Sequence, residues 1–260
     1  MAHFLLQNDD GSLDIERCIV EELLKQNKFV HTYELVSLKD LGNASKENCY
    51  PIGTIDFVTK YMNNAYGMES EVPIEIPVYL QTGEFLKRNY FICKWDEIPR
   101  KGEFFLKDVS QLKKFGSIVN TAYESIDDLF CYEPKGKFDS RLVLDKDHFY
   151  QVSSILPIKS EYRVYVLNGE IEQISNYNGS PLFLPDIGLL NKAVSLVSRF
   201  EKYLKSYTID IAVGSFGTAI LEIHNFASVG LYSTLWGDNL LYSYVDGINY
   251  LKSDNTIKYL

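Results

Sequence analysis

Four side chains with metal- or proton-handling chemistry lie near one another late in the chain: Asp210, Glu222, His224 and Asn225. They fall within YTIDIAVGSFGTAILEIHNFASVGLY, residues 207–232. This stretch reads as two short strands joined by Gly214, Ser215, Phe216 and Gly217, because apolar and polar residues alternate around a glycine-bounded turn. Alternation puts Glu222 and His224 on one face, with Asn225 where the strand ends and Asp210 on the partner strand. A carboxylate inside so apolar a strand is costly unless a cation or a donor meets it. Oxygen ligands near a strand end, followed by a turning Ala-Ser-Val-Gly, suit Mg²⁺ shared with a nucleotide's phosphates. The same pattern also describes an edge strand with a wet polar face, and short motifs do not decide between the two.

Candidate cations come earlier. Lys107 closes the apolar run GEFFLK, and Lys113 and Lys114 follow one loop later, before Phe115 and Gly116. A lysine ending a buried strand, with another a loop away, can hold phosphates as point charges. Three exposed lysines with snorkelling stems would give the same string. Glu161 and Arg163 share a face of the strand EYRVYV. A planar guanidinium on a rigid strand suits phosphate oxygens, whereas a surface Glu–Arg pair contributes little. The loop Pro134-Lys135-Gly136-Lys137 carries two more cations, fit for a lid over phosphates or for nothing. Neither GxxxxGK[ST] nor GxGxxG occurs, and no Ser-His-Asp or Cys-His set stands out.

Positioning these groups requires a sequence of short elements. Residues 2–7 read as a strand, 14–26 as an amphipathic helix and 29–36 as a strand, an opening typical of an open α/β sheet. Residues 55–63 read as helix. Strands are expected at 88–95, 102–107, 141–144, 148–152, 161–166 and 171–175, with a short acidic helix at 122–130. Asn168-Gly169 is a strong two-residue hairpin signal, and 176–179 should end that hairpin. SSILPI, residues 153–158, reads as an apolar linker that could stack on adenine or simply be core. Residues 189–203 show the cleanest helical period, and 235–250 form a last helix before a polar tail.

Composition bounds the function. The 260 residues are 46% hydrophobic and 23% charged, with a net charge of −9, ordinary for a globular chain but poor for binding a phosphate backbone. Bulk nucleic acid is therefore disfavoured as a partner by charge alone. Cys18, Cys49, Cys93 and Cys131 lack CxxC spacing, so a reducing compartment is expected. The start MAHFLLQNDDGS has no basic region, and no apolar run approaches a membrane span, so a cytoplasmic protein is expected.

The ordered stretches FFLKDVSQLKKF, SSILPI leading into SEYRVYV, ISNYNG, and YTIDIAV followed by LEIHNFASVGLY resemble the ATP-grasp superfamily. The similarity is greatest to a phage-associated branch distinguished by one arginine and two lysines, and it spans roughly residues 50–235, with Tyr50-Pro51-Ile52-Gly53-Thr54 also similar to that branch. It implies an α+β ATP-grasp fold: a small N-terminal α/β lobe over residues 1–83, a small lobe over 84–156 and a C-terminal lobe over 157–260. ATP phosphates would meet Lys107 and Lys113, and Ser153, Ser154, Ile155 and Leu156 would form the hinge against adenine. Glu161 would approach the ribose or the metal–phosphate network. Arg163 would face the transferring phosphate, with Lys113 beside the chemistry. Asp210, Glu222 and Asn225 would bind one or two Mg²⁺. The family usually ends this motif Glu-x-Asn, whereas this chain has Glu222-Ile223-His224-Asn225, so either His224 takes the Asn place or the ligand set shifts by one.

The resemblance also implies the reaction. A carboxylate attacks the γ-phosphate of ATP to give an acyl-phosphate, and an amine then displaces phosphate to form an amide. The carboxylate or amine can be a peptide or protein end. Two alternatives stay open, a nucleotide-binding module that has lost catalysis and a kinase on the same fold.

Overall fold

The structure, a computed structural model, describes residues 2–9, 14–26, 30–44, 46–68, 76–109, 117–121, 125–131, 142–144, 148–232 and 238–253. The chain opens with β1 (Ala2–Gln7), α1 (Asp14–Gln26), β2 (His31–Val36), α2 (Leu41–Ala44), β3 (Cys49–Ile52) and α3 (Ile55–Tyr66). The three strands are parallel in the order β2-β1-β3. The central strand is buried on both faces: Phe4 and Leu6 enter one core and Leu5 another. Helix α3 starts where Thr54 accepts a hydrogen bond from Phe57 N–H, and ends at Gly67 in the left-handed conformation.

After α4 (Gly83–Leu86), an antiparallel sheet forms in the order β4-β9-β5-β6. It comprises β4 (Tyr90–Cys93), β5 (Phe104–Asp108), β6 (Ser117–Asn120) and β9 (Tyr150–Ser153). Between β6 and β9 come α5 (Ile126–Leu129), β7 (Phe130–Cys131) and β8 (Leu142–Val143). These segments bury a core of their own around Trp95, Phe104, Leu106, Phe130, Tyr150 and Val152. Alternation along β5 turns Phe104 and Leu106 inward and leaves Phe105 and Lys107 on the other face. Of the helix expected at 122–130, residues 122–124 lie outside the described residues, Ile126–Leu129 are helical after the N-cap Ser125, and Phe130 already belongs to β7.

The remaining chain forms β10 (Ile158–Leu167), β11 (Glu170–Gly179), α6 (Ile187–Phe200), β12 (Ser206–Gly214), β13 (Gly217–Asn225) and α7 (Asp238–Lys252). The sheet runs β11-β10-β12-β13, antiparallel throughout. Asn168 and Gly169 both have positive φ, 52° and 80°, the mirror-image turn that the dipeptide favours. On one sheet face Tyr162, Val164, Val166, Ile209 and Ile211 pack against Leu190, Val194 and Val197 of α6 and against Phe57 and Met62 of α3. On the other, Tyr165 and Leu167 meet Phe4, Leu6, Phe226 and Leu240. The N-terminal segment and the last sheet thus share their cores.

The polar string at 176–179 does not end the hairpin as expected. β11 continues to Gly179 because a bulge opposite Glu161 and Tyr162 absorbs one residue. Asn176 Nδ2 secures it by donating to Glu161 O at 3.0 Å and Ser160 Oγ at 2.8 Å. Among the described residues no helix is long and apolar enough to cross a membrane.

Gly247 lets α7 lie on the turn that follows β13. A Cβ there would come within 2.5 Å of Ala227 N and the Phe226 carbonyl carbon. Helix propensity alone favours alanine by about 1 kcal/mol. We expect Gly247→Ala to destabilise the fold by about 1–3 kcal/mol through overpacking, seen as a lower urea midpoint; a higher midpoint would overturn the packing argument.

Candidate active site

Strand β13 delivers the acidic end of the site through its register with β12. Asp210 lies directly opposite Glu222, and Thr208 opposite His224. A bulge after Asp210 leaves Leu221 as the extra residue, which lines the cleft beside Glu222. Like charges directly across a sheet repel, and each carboxylate here has its own counter-charge. Arg163, opposite Asp210 on β10, donates Nε to Oδ1 at 2.7 Å and Nη2 to Oδ2 at 2.6 Å. Its Nη1 donates to Gly230 O at 2.8 Å, and Tyr232 covers the guanidinium with its ring 4.7 Å away. Glu222 Oε2 accepts from the Lys107 ammonium, and its Oε1 lies 3.0 Å from His224 Nε2. Burial opposes the Glu222 charge, yet His224 and then Lys107 outweigh it and hold the carboxyl well below its usual range.

Lys107 reaches Glu222 across a cleft of about 480 Å³ between the two four-stranded sheets. Phe105, Lys107 and Val119 of the first sheet form one wall, and Ile158, Glu161, Tyr177, Leu221 and Glu222 of the second form the other. Ser153, Ser154, Ile155 and Leu156 close the back, where Ser154 N–H donates to Asn89 O at 3.0 Å. Glu161 is held by Tyr177 OH at 2.9 Å and Asn178 Nδ2 at 2.7 Å, so the polar string after β11's bulge orients a cleft carboxylate. Tyr177 stacks on Tyr232 with centroids 4.7 Å apart, linking the cleft wall to the Arg163 clamp.

The cleft therefore brings together Lys107, Ser153, Ser154, Ile155, Leu156, Glu161 and Glu222, with Asp210 and Arg163 adjoining through the sheet face. Lys113, Lys114 and the loop Pro134-Lys135-Gly136-Lys137 lie outside the described residues. Asn225 follows His224 on the strand and so leaves by the opposite face, where its Oδ1 accepts from Ala227 N–H at 3.1 Å in the turn. Asp210, Glu222 and His224 have ligand atoms that all lie within 4.8 Å of one another. The two carboxylates fit a hard divalent cation such as Mg²⁺; the imidazole is foreign to that preference.

Sequence reasoning passed over Arg88. It lines the cleft, donating Nη1 to Ile220 O at 2.8 Å and Leu86 O at 3.2 Å. Burial pushes its pKa down to about 10, and the neighbouring Tyr90 only partly opposes this. As the first residue of an expected strand it carried no signal, because its partner Ile220 is 132 positions away.

A family model for an ATP-grasp domain, the second family of its clade, matches residues 85–238, more than half of the chain. The chain belongs to this ATP-grasp family. Solved structures agree on the fold. D-cycloserine synthetase DcsG aligns over 96% of this chain and 100% of its own at 11% identity, with a TM-score of 0.53. D-alanine–D-alanine ligase from Bacillus anthracis aligns over 97% and 96% at 10% identity and 0.55. N5-carboxyaminoimidazole synthetase from Staphylococcus aureus aligns over 94% and 77%, also at 10% and 0.55. A search of curated proteins returns no significant match. In this ATP-grasp chain the cleft lies between the two sheets, with the acidic cluster at one end and the 153–156 segment at the other.

The charge pairs can be tested through stability. Arg163→Met leaves Asp210 buried and unpaired and should cost about 3–5 kcal/mol in urea unfolding, of which adding Asp210→Asn recovers a large share; full additivity would overturn the clamp. Glu222 is held charged in the folded chain, so its stabilisation is complete above about pH 4.5, its ordinary value, and drains as pH falls below it. Metal-free wild type should thus lose more stability than Glu222→Gln between about pH 6 and pH 3, and equal losses would refute the assignment.

Proposed function

We infer that the protein is an ATP-dependent ligase that joins a carboxylate to an amine through an acyl-phosphate. The observation that carries this reading is the single cleft of an ATP-grasp domain in which Lys107, the 153–156 segment, Glu161 and Glu222 converge. The structural relatives bearing ligase or synthetase names share the fold and are consistent with it.

In this reading adenine lies against Ile155, Leu156, Phe105 and Leu221. The Ser154 N–H already serves Asn89 and the Leu156 carbonyl already accepts from Ile158 N–H at 2.9 Å, which leaves the base edge to the Ile155 backbone and the Leu156 N–H. Glu161, fixed by Tyr177 and Asn178, accepts from ribose hydroxyls. Lys107 meets the phosphates, turning from Glu222 as the nucleotide enters, Arg88 lies beside the adenine-facing 153–156 segment, and Lys113 is the further phosphate contact proposed from the resemblance. A divalent cation held by Asp210 and Glu222 supplies charge neutralisation at the phosphates. Arg163 uses three of its five N–H donors on Asp210 and Gly230, so it orients Asp210 and keeps two donors for an incoming phosphate or acyl-phosphate oxygen.

The carboxylate oxygen attacks the γ-phosphorus and ADP leaves with the bridging oxygen. The amine then attacks the acyl carbon, inorganic phosphate departs, and the amine proton passes to solvent or phosphate. No side-chain nucleophile is needed; the chain's part is positioning and charge.

The test is calorimetry of ATP and ADP binding, followed by a screen of carboxylates and amines, peptide ends included, for ADP release. Lys107→Ala should weaken ATP by about tenfold or more, about 1.4 kcal/mol. ADP release that requires both a carboxylate and an amine supports the ligase. Release with one phosphate acceptor alone indicates a kinase, and tight binding with no turnover indicates a module without catalysis.

A further inference from the structure

We propose that the Asp210–Glu222–His224 cluster is a mixed oxygen–nitrogen site selective for Mn²⁺ over Mg²⁺, with His224 Nε2 as a direct ligand. The proposal rests on the nucleotide reading of the cleft and names its metal. His224 Nε2 is 3.0 Å from Glu222 Oε1 and 4.0 Å from Asp210 Oδ2. Ligands about 2.1 Å from an octahedral cation sit about 3.0 Å apart when adjacent and about 4.2 Å apart when opposite. The two spacings from His224 fall close to those values, and the ligand atoms of all three residues lie within 4.8 Å of one another.

Among the described residues the imidazole Nε2 contacts only the two carboxylates themselves. Although 3.0 Å from Glu222 Oε1, its buried Nε2 makes no hydrogen bond of acceptable geometry among the described residues. Thr208, directly opposite His224 on the same sheet face, is fully buried, and its hydroxyl likewise has no hydrogen-bond partner among the described residues. Leaving a buried polar group unpaired costs about 1–3 kcal/mol. Two such groups beside two carboxylates are relieved together if a cation takes the imidazole lone pair and the hydroxyl reaches a water on that cation. Lys107 occupies Glu222 Oε2 and leaves Oε1 facing His224, while both Asp210 oxygens accept from Arg163, so Asp210 would ligate through a remaining lone pair.

Donor chemistry then selects the metal. Mg²⁺ demands oxygen ligands, whereas an imidazole beside carboxylates suits a first-row transition ion, and Mn²⁺ is the one that also favours carboxylate and phosphate oxygens. Asn225, which would supply an amide oxygen, is turned away and bonded to Ala227.

The experiment measures Mn²⁺ and Mg²⁺ binding to the full chain with ADP present, in wild type and in His224→Asn, by calorimetry. The Mn²⁺-to-Mg²⁺ affinity ratio should fall about tenfold or more in the variant. Pulsed electron paramagnetic resonance of Mn²⁺ on wild type carrying ¹⁵N-histidine should show coupling to a histidine nitrogen, a readout that needs no variant and excludes adenine nitrogens. An unchanged ratio, or bound Mn²⁺ without histidine coupling, overturns the proposal while ADP binding keeps the nucleotide reading intact. Absence of ADP binding with either metal overturns both.

Discussion

Two carboxylates face each other across neighbouring strands in the middle of a largely apolar sheet, and the structure around them is arranged to make that tolerable. Asp210 and Glu222 would repel if left alone. Arg163 neutralises the first from the adjacent strand, and Lys107 the second from a different sheet. The two solutions differ in kind. The Arg163 pair is built into one sheet, buried and bidentate, whereas the Lys107 pair spans the cleft between two sheets. One carboxylate is thereby held from within its own sheet, and the other from across the cleft.

Much of this was legible in the strand patterns. The alternation that put Glu222 and His224 on one face, and Glu161 and Arg163 on another strand, reflects a period of two that tertiary packing does not alter. The Asn168–Gly169 turn was equally plain, because two positive φ values in sequence demand such residues. What was not legible depends on residues distant in sequence. The bulge that carries β11 to Gly179 is stabilised by Asn176 and Asn178 reaching β10, so a string resembling a loop became a strand. Arg88 acquires its meaning from Ile220, and Arg163 proved to orient Asp210 first, since its pairing partner lies 47 residues on. The identity of the third cluster member turned on a side chain's exit face: His224 points to the carboxylates and Asn225 into the turn.

Aromatic contacts complete the picture. Tyr177, the residue the bulge admits, stacks on Tyr232, which in turn covers Arg163. The cleft wall and the Asp210 clamp are therefore mechanically continuous, with rings stacked about as closely as offset aromatic pairs allow. A disturbance at either end is felt at the other through stiff side chains of few rotamers.

The shared cores carry a lesson about portability. The stretch that bears the family signature, residues 85–238, includes the whole acidic sheet but omits β1, β3, α3 and nearly all of α7. Those omitted elements contribute Phe4, Leu6, Phe57, Met62 and Tyr244 to the interior against which that sheet packs. The signature-bearing segment is consequently a unit of chemistry and not of folding: grafted alone into another chain, it would keep α6 on one face of its site-bearing sheet but lose the cover that α3 gives that face and that β1 and most of α7 give the other.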